Sequence, residues 1–288
     1  MTRLKSRSRQ WLNVFVLMLI VATVFAGCAP AKNEEAEPVS ESGSETIDGI
    51  KEYGALRIGV AVALPWMGIN PADGKYFGPA MDISNWLGEE LGVPVEIMVA
   101  DWGVIVAGLQ ANKYDLIATG LFETPERKEV IDFATWHRAG GCYIAMKDND
   151  KVNTLEDLRN PDVKLAVILG AGLTAAVQEK YPEPQYIEEQ VSGGASTNLM
   201  AILAGRADAS AIDSAVGPAH LEVYPELKLI PEDCLENPDV AMDIGVAFRK
   251  NDPVFAAMVE GVIAKHKAEI EEGLETYSSS EYLNIARQ

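Results

Sequence analysis

The sequence predicts an α/β fold of mostly parallel sheets with helices on both faces. Three observations predict it. From Leu56 onward, short β-rich runs alternate with amphipathic helical stretches. No series of hairpins interrupts that alternation. After Gly140 and Gly141 a fresh strand opens a second series of the same kind, so the elements fall into two groups.

Each element follows from its own pattern. In the first group "LRIGVAV" reads as a strand and "MDISNWLGEEL" as the helix behind it. "VEIMVA" then "WGVIVAGLQAN" repeat the pair, and "YDLIATG" runs into a turn through "ETPERKEV". The second group opens on the strand "CYIAMK". Thr154 and Asp157 in "TLEDLRN" form a capping-box start. There follow "KLAVIL", "TAAVQEKY", "YIEEQV", "TNLMAILAG", "ADASAID" and "AVGPAHLEVY". The last strand, "DIGVAFRK", leads into a long helix with Asp252 as N-cap and Pro253 at its first position. Its apolar stripe is Phe255, Met258, Val259, Val262 and Ile263. In such sheets ligands bind beyond the carboxyl ends of the strands.

Ahead of this pattern stand Arg3, Lys5, Arg7 and Arg9, then a mostly apolar run over 11–26. These are the basic and apolar regions of an export signal. The run is shorter than the roughly 20 residues of a membrane-spanning helix, and no stop-transfer charges follow it. Val24-Phe25-Ala26-Gly27-Cys28 looks like a bacterial lipobox, with Phe25 where Leu is usual. Residues 1–27 are therefore expected to be a lipoprotein signal peptide, and Cys28 to carry a palmitate-type lipid anchor. Residues 28–46, rich in Pro, Glu and Ser, read as a flexible acidic tether.

Composition excludes some functions. The formal charge is −19, with 43 acidic against 24 basic residues, and loss of the four basic residues of the signal takes it to −23. Nucleic-acid binding needs clustered Lys and Arg and is not expected. With Cys28 lipidated, Cys142 and Cys234 remain. Outside the cytoplasm they can pair, although two buried free thiols is the slightly favoured reading. His137, His220 and His266 show no metal-ligand spacing, so no metal is expected. His266 reads as solvated and His220 as a packed or surface helix residue. No nucleophile triad motif occurs, and no cofactor is expected.

The stretch "KLAVILGAGLTAAVQEKY" needs separate treatment. Strand, glycine turn and helix, with Glu188 and Glu189 downstream, imitate a dinucleotide fingerprint. A helix N-terminus binds any anion, however, a carboxylate as well as a pyrophosphate.

The decisive pattern is the ordered set G-x-L-R-I-G, D-G-K-Y-x-G with Asp82 behind it, D-W before a helix ending in L-Q, and K-Y-D-L-I followed by T-P-E-R. "GRADASAID" and "GVAFRKNDP" continue it, so nearly everything from Gly54 onward is covered. The set resembles the type II extracytoplasmic solute-binding proteins of family 3, the polar-amino-acid binding proteins of ABC importers. The resemblance implies a two-lobe periplasmic-binding-protein type II fold, each lobe a mostly parallel sheet flanked by helices, joined by two crossover hinge segments. Lobe 1 is expected over 47–140 plus 240–288 and lobe 2 over 141–239. Cys142 and Cys234 then both lie near the crossovers, where a pairing is geometrically conceivable. A monomer that docks on a membrane permease is implied.

The resemblance also assigns roles. Arg127 stands where the family holds the ligand α-carboxylate, for which a planar guanidinium fork is suited. Asp213 matches the carboxylate for the α-ammonium, or is a plain N-cap, or both. Thr119, with backbone groups of Gly120 and Phe122, fits the carboxylate-contacting segment. Gly170, Ala171, Gly172 and Thr174 form the second lobe's anion cradle, and Trp66 is the nearest ring to the usual stacking position.

Three departures leave the ligand open. The loop after the first strand is small and lacks the acidic residue that accompanies basic ligands. Phe122 replaces a hydroxyl residue, as do Ala171 and Gly172. Arg138, in Trp136-His137-Arg138, is either an anion contact at the cleft floor or a surface hinge residue. These features suggest an apolar or unusual amino acid, or a carboxylate without an amine. Two other classes stay open. Prephenate or arogenate dehydratases share the fold and use a cleft acid, and a sensing module would report solute to a signalling partner.

Overall fold

The structure, a computed structural model, describes residues 42–190 and 197–285; Cys28, the signal and most of the expected tether lie outside them. Chain order begins with α1 (Glu45–Tyr53), β1 (Leu56–Val60), the short pair β2 (Gly68–Ile69) and β3 (Tyr76–Phe77), α2 (Pro79–Leu91), β4 (Val95–Val99), α3 (Ile105–Gln110) and β5 (Leu116–Phe122). It continues through α4 (Pro125–Val130), β6 (Ile131–Met146), β7 (Lys164–Ile168), α5 (Gly172–Lys180), β8 (Gln185–Glu189), α6 (Thr197–Leu203), β9 (Ala209–Asp213), α7 (Gly217–Val223) and β10 (Leu227–Ile230). It closes with β11 (Asp239–Arg249), α8 (Pro253–Lys265), α9 (Lys267–Tyr277) and α10 (Ser280–Ile285).

Among the described residues the main sheet has the order β4-β1-β5-β11-β6-β9-β7-β8, with β10 paired to β6. Its two ends are parallel, β4-β1-β5 on one side and β9-β7-β8 on the other. These are the two lobes. They are joined by β6 and β11, which pair antiparallel with one another and carry one lobe's sheet into the other's. The expected break at Gly140-Gly141 does not occur: β6 runs unbroken for 16 residues, because both glycines pair or pack within the sheet.

Packing follows the sequence pattern. In the first lobe Leu56, Ile58 and Val60 meet Ile83 and Leu87 of α2 and Phe255 and Val259 of α8. In the second, Tyr143, Leu165 and Val167 meet Leu173 and Val177 of α5. Fully burying each such side chain contributes about 1.5–3 kcal/mol. Asp252 caps α8 by accepting from Phe255 N at 3.0 Å. Its other oxygen accepts from Ser44 Oγ at 2.6 Å and Thr46 N at 3.2 Å. Ser44 and Thr46 are thus buried, and the last residues expected in the tether belong to α1 and its cap.

Several local expectations are corrected. "ETPERKEV" contains the helix α4, because Thr124 caps Arg127 N and Pro125 starts the first turn. The single long final helix breaks at His266, which stacks on Trp86 with centroids 4.1 Å apart rather than facing solvent. Cys142 and Cys234, read as free thiols, form a disulfide with Cα atoms 5.5 Å apart. Register explains it: β6 sets Cys142 opposite Ile212, and β10 returns along β6 to bring Cys234 beneath it.

Asp239, at the start of β11, anchors the second crossover. Its buried carboxylate accepts from Tyr143 O–H at 3.0 Å and Tyr181 O–H at 2.9 Å, and pairs with Lys180. Burial is the main cause that raises both phenols above the ordinary tyrosine range, with the neighbouring carboxylate acting in the same direction.

Candidate functional site

A cavity of about 140 Å³ lies between the lobes, at the carboxyl ends of β1, β5, β7 and β9. The loop after β1 closes on itself through paired hydrogen bonds between Ala63 and Met67, 2.8 and 2.9 Å. That turn carries Trp66 inward, where it is buried and edge-on to Trp136 at 5.6 Å. Gly120 makes room for it: a Cβ there would stand 1.9 Å from Trp66 Cδ1. The Trp66 indole N–H then donates to Asp213 Oδ2 at 2.9 Å, a direct bond from one lobe to the other.

Asp213 ends β9 and caps the following 3-10 turn through Ala215 N, at 3.2 Å. Asp213 is thus seen directly as the N-cap that one of its sequence readings expects. It keeps a little accessible surface where it lines the cavity, yet desolvation pushes its carboxyl up to about 7, against the lowering effect of its two donors. Among the described residues no cation lies within ion-pair distance of it.

Arg127, on α4, is half-buried behind the opposite wall. Nη1 donates to Phe122 O at 2.8 Å and Nη2 to Gly170 O at 3.2 Å, the second bond crossing between lobes. Burial pushes the guanidinium down to about 10. No carboxylate lies within ion-pair distance of it among the described residues. Glycine at 172 permits the approach, since a Cβ there would stand 2.9 Å from Arg127 Nη1 and 2.8 Å from Phe122 Cβ. The glycine-poor turn thus brings α5 against the other lobe. The first turn of α5 has no side-chain cap, and Ala171, Gly172 and Thr174 line the cavity.

The other expected residues divide. Phe122 and Gly120 line the cavity. Thr119 does not: it is wholly buried, and its hydroxyl donates to Ala61 O at 2.6 Å, tying β5 to the end of β1. Gly170 presents its carbonyl to Arg127 instead of lining the cavity. Thr174 Oγ1 donates back to Ile168 O at 2.6 Å. Arg138 is turned outward, pairing with Asp243 at 2.6 Å, so it is the surface hinge residue.

Sequence reading missed Trp102, Asn198, His220 and Leu283, all of which line the cavity. Trp102 follows the D-W motif and was within reach of pattern reading. Asn198, His220 and Leu283 come from three different helices, and only the tertiary packing brings them together. Trp102 and Val62 are also the wall shared with a second recess of about 370 Å³, bounded by Val99, Val104 and Leu169. Among the described residues no group of three or more His, Cys, Asp or Glu side chains is placed to hold a metal ion, and no helix is long and apolar enough to cross a membrane.

A cleft with an unpaired guanidinium on one side and an unpaired carboxylate on the other suits a small zwitterion. Known proteins point the same way. Residues 56–278 match the family of bacterial extracellular solute-binding proteins, family 3. A glutamine-binding protein of Geobacillus stearothermophilus is 26% identical over 240 residues, covering 79% of this chain and 89% of that one. An ancestral amino acid-binding protein, described as a precursor of cyclohexadienyl dehydratase, superposes with a TM-score of 0.70 at 30% identity, over 80% of this chain and 98% of that one. An amino acid ABC transporter substrate-binding protein of Streptococcus pneumoniae, bound to L-arginine, has a TM-score of 0.70 at 26% identity, over 81% and 97%. The two-lobed sheet, the cleft between its lobes and a family match running from β1 into the segment after α9 agree: the chain belongs to the bacterial extracellular solute-binding proteins of family 3.

Proposed function

We propose that this protein captures an amino acid between its lobes and delivers it to an ABC permease. The observation that carries the reading is that one cleft brings together two charges without ion-pair partners among the described residues, Asp213 in its wall and Arg127 behind it. Arg127 has N–H groups left after its two carbonyl contacts, enough to take a carboxylate, helped by the uncapped start of α5. Asp213 takes the ammonium, which returns to its desolvated carboxylate the countercharge it lacks.

Lobe 1, over 47–140 plus 240–288, and lobe 2, over 141–239, close on the solute, since contacts to both exist only in the shut state. The chain acts as a monomer, held at the membrane by lipid on Cys28, which raises its effective concentration near the permease. It is a binder and not an enzyme. A dehydratase reading draws support from the ancestral relative and from the raised Asp213 carboxyl.

Thermal unfolding of solute-free protein against the proteinogenic amino acids tests the proposal. A true ligand at a hundredfold excess over its Kd stabilises by about 2.7 kcal/mol, and Arg127→Ala removes that shift. Turnover of prephenate would instead place the protein among enzymes, and absence of any amino-acid response would refute the binding role.

A further inference from the structure

The cavity is chemically uneven, and this bears on the side chain of the solute. Asp213 in the wall and Arg127 behind it serve the α-ammonium and α-carboxylate on the reading above. The hydroxyl, amide and imidazole side chains of the wall each make a bond to backbone, and the Trp66 N–H is taken by Asp213. Thr174 Oγ1 donates to Ile168 O, and Asn198 Nδ2 donates to Ala211 O at 2.9 Å. His220 Nδ1 lies 3.1 Å from Val216 O. The aliphatic part of the wall is Val62, Leu173, Val216 and Leu283, with the Trp102 ring beside it. Among the described residues no second carboxylate lines the cavity to meet a basic side chain, and no Lys or Arg lines it to meet an acidic one. A buried polar group without a partner is strongly disfavoured.

Size narrows the class further. A cavity of about 140 Å³ is close to an apolar cavity of roughly 150 Å³ that holds benzene, a molecule of six non-hydrogen atoms. One wall is fixed by α10. Tyr282 packs on Phe77 and Tyr277 of the first lobe, with centroids 5.0 and 4.9 Å apart, while α10 rests against α7 of the second. Leu283 is thereby held over the cavity from an element braced on both lobes.

We propose that the solute is a small apolar α-amino acid, of alanine to valine size, whose side chain packs against Leu283. This rests on the amino-acid reading and names its substrate class. The α10 wall sets the upper size limit, which also excludes glutamine, and the lack of a second carboxylate or of a lining Lys or Arg disfavours arginine and glutamate.

The test is calorimetric titration of the full chain in detergent, disulfide intact and stripped of carried-over solute. The probes are L-alanine, L-2-aminobutyrate, L-valine, L-leucine, L-glutamine, L-glutamate, L-arginine and the amine-free propionate. At least one of the first three is expected to bind tenfold or more tighter than glutamine, glutamate and arginine. Leu283→Ala is expected to improve leucine relative to alanine about tenfold. Leu283→Phe, which keeps the wall apolar, is expected to weaken valine relative to alanine by a similar factor.

Tightest binding by glutamine, glutamate or arginine, abolished by Arg127→Ala, overturns the apolar class and leaves amino-acid capture standing. Tightest binding by leucine in the wild type overturns the size limit. Binding of propionate as tight as that of alanine overturns the amine. A panel with no binder overturns both this inference and the reading beneath it.

Discussion

Replacing both Cys142 and Cys234 by Ala is expected to destabilise the protein by about 4–5 kcal/mol while leaving solute affinity nearly unchanged. The magnitude follows from the sequence separation of 92 residues that the bond closes. Closing a loop of that length removes about 16 cal/mol/K from the unfolded chain, or about 4.6 kcal/mol at 25 °C. Both cysteines are fully buried beside Ile144, Leu199 and Leu229, so the lost sulfurs add a small packing deficit in the same direction. A loss of this size lowers the midpoint of thermal unfolding by roughly 9–18 °C in a domain of this length. The assay is chemical denaturation of wild type and variant under identical buffer, with peptide mapping to show the Cys142–Cys234 link in the wild type. Neither cysteine lines the cavity, so the folded variant should keep its Kd within about threefold. A loss below about 1 kcal/mol would refute the argument that this bond restrains the unfolded chain.

Gly120→Ala is expected to cost about 2–4 kcal/mol, because its Cβ would collide with Trp66 and break the Trp66–Asp213 bond; red-shifted tryptophan emission would report the displaced ring, and an unshifted spectrum would count against it. Asp213 has a pH signature. Its carboxyl is raised from an ordinary 3.8 to about 7, so the closed solute-free fold holds a proton the unfolded chain has released. Stability therefore falls as pH rises from about 4 to 7, by on the order of 4 kcal/mol, and Asp213→Asn should abolish that slope in melting profiles. Arg127→Lys should weaken solute binding about thirtyfold, since an ammonium cannot both keep the Phe122 and Gly170 carbonyls and fork onto a carboxylate; titration that finds less than a threefold change removes the fork argument. Asp239→Ala should cost about 2–4 kcal/mol in denaturant titration by orphaning the Tyr143 and Tyr181 hydroxyls.

The sequence carried the fold far because its signals are local. Pro253 after Asp252, the strand runs and the ordered motifs through T-P-E-R each report on neighbours a few residues away. Arg127 stands out from the short motif T-P-E-R, although the same stretch reads as a turn and not as the helix capped by Thr124. Thr119 shows the limit. Its hydroxyl type suggested a ligand contact, but strand alternation turned it to Ala61, a partner 58 residues distant. Leu283 and His220 are silent in sequence, since nothing local distinguishes a cavity wall from ordinary core. The cysteine pairing needed the register of β10 on β6, which composition does not encode.

The two long strands that join the lobes have a mechanical consequence. Because β6 and β11 lie side by side and hydrogen-bonded, they act as one leaf spring: sliding or twisting one lobe over the other would shear many bonds at once, whereas rocking bends the ladder across its width. That ladder slips register between Asp239 and Met242 and again between Ile244 and Gly245. Flexure should concentrate at those two interruptions, each one strand away from a cavity residue, Asp213 through Gly141 and Phe122 through Ile244, so bending the ladder moves the two walls of the cleft directly.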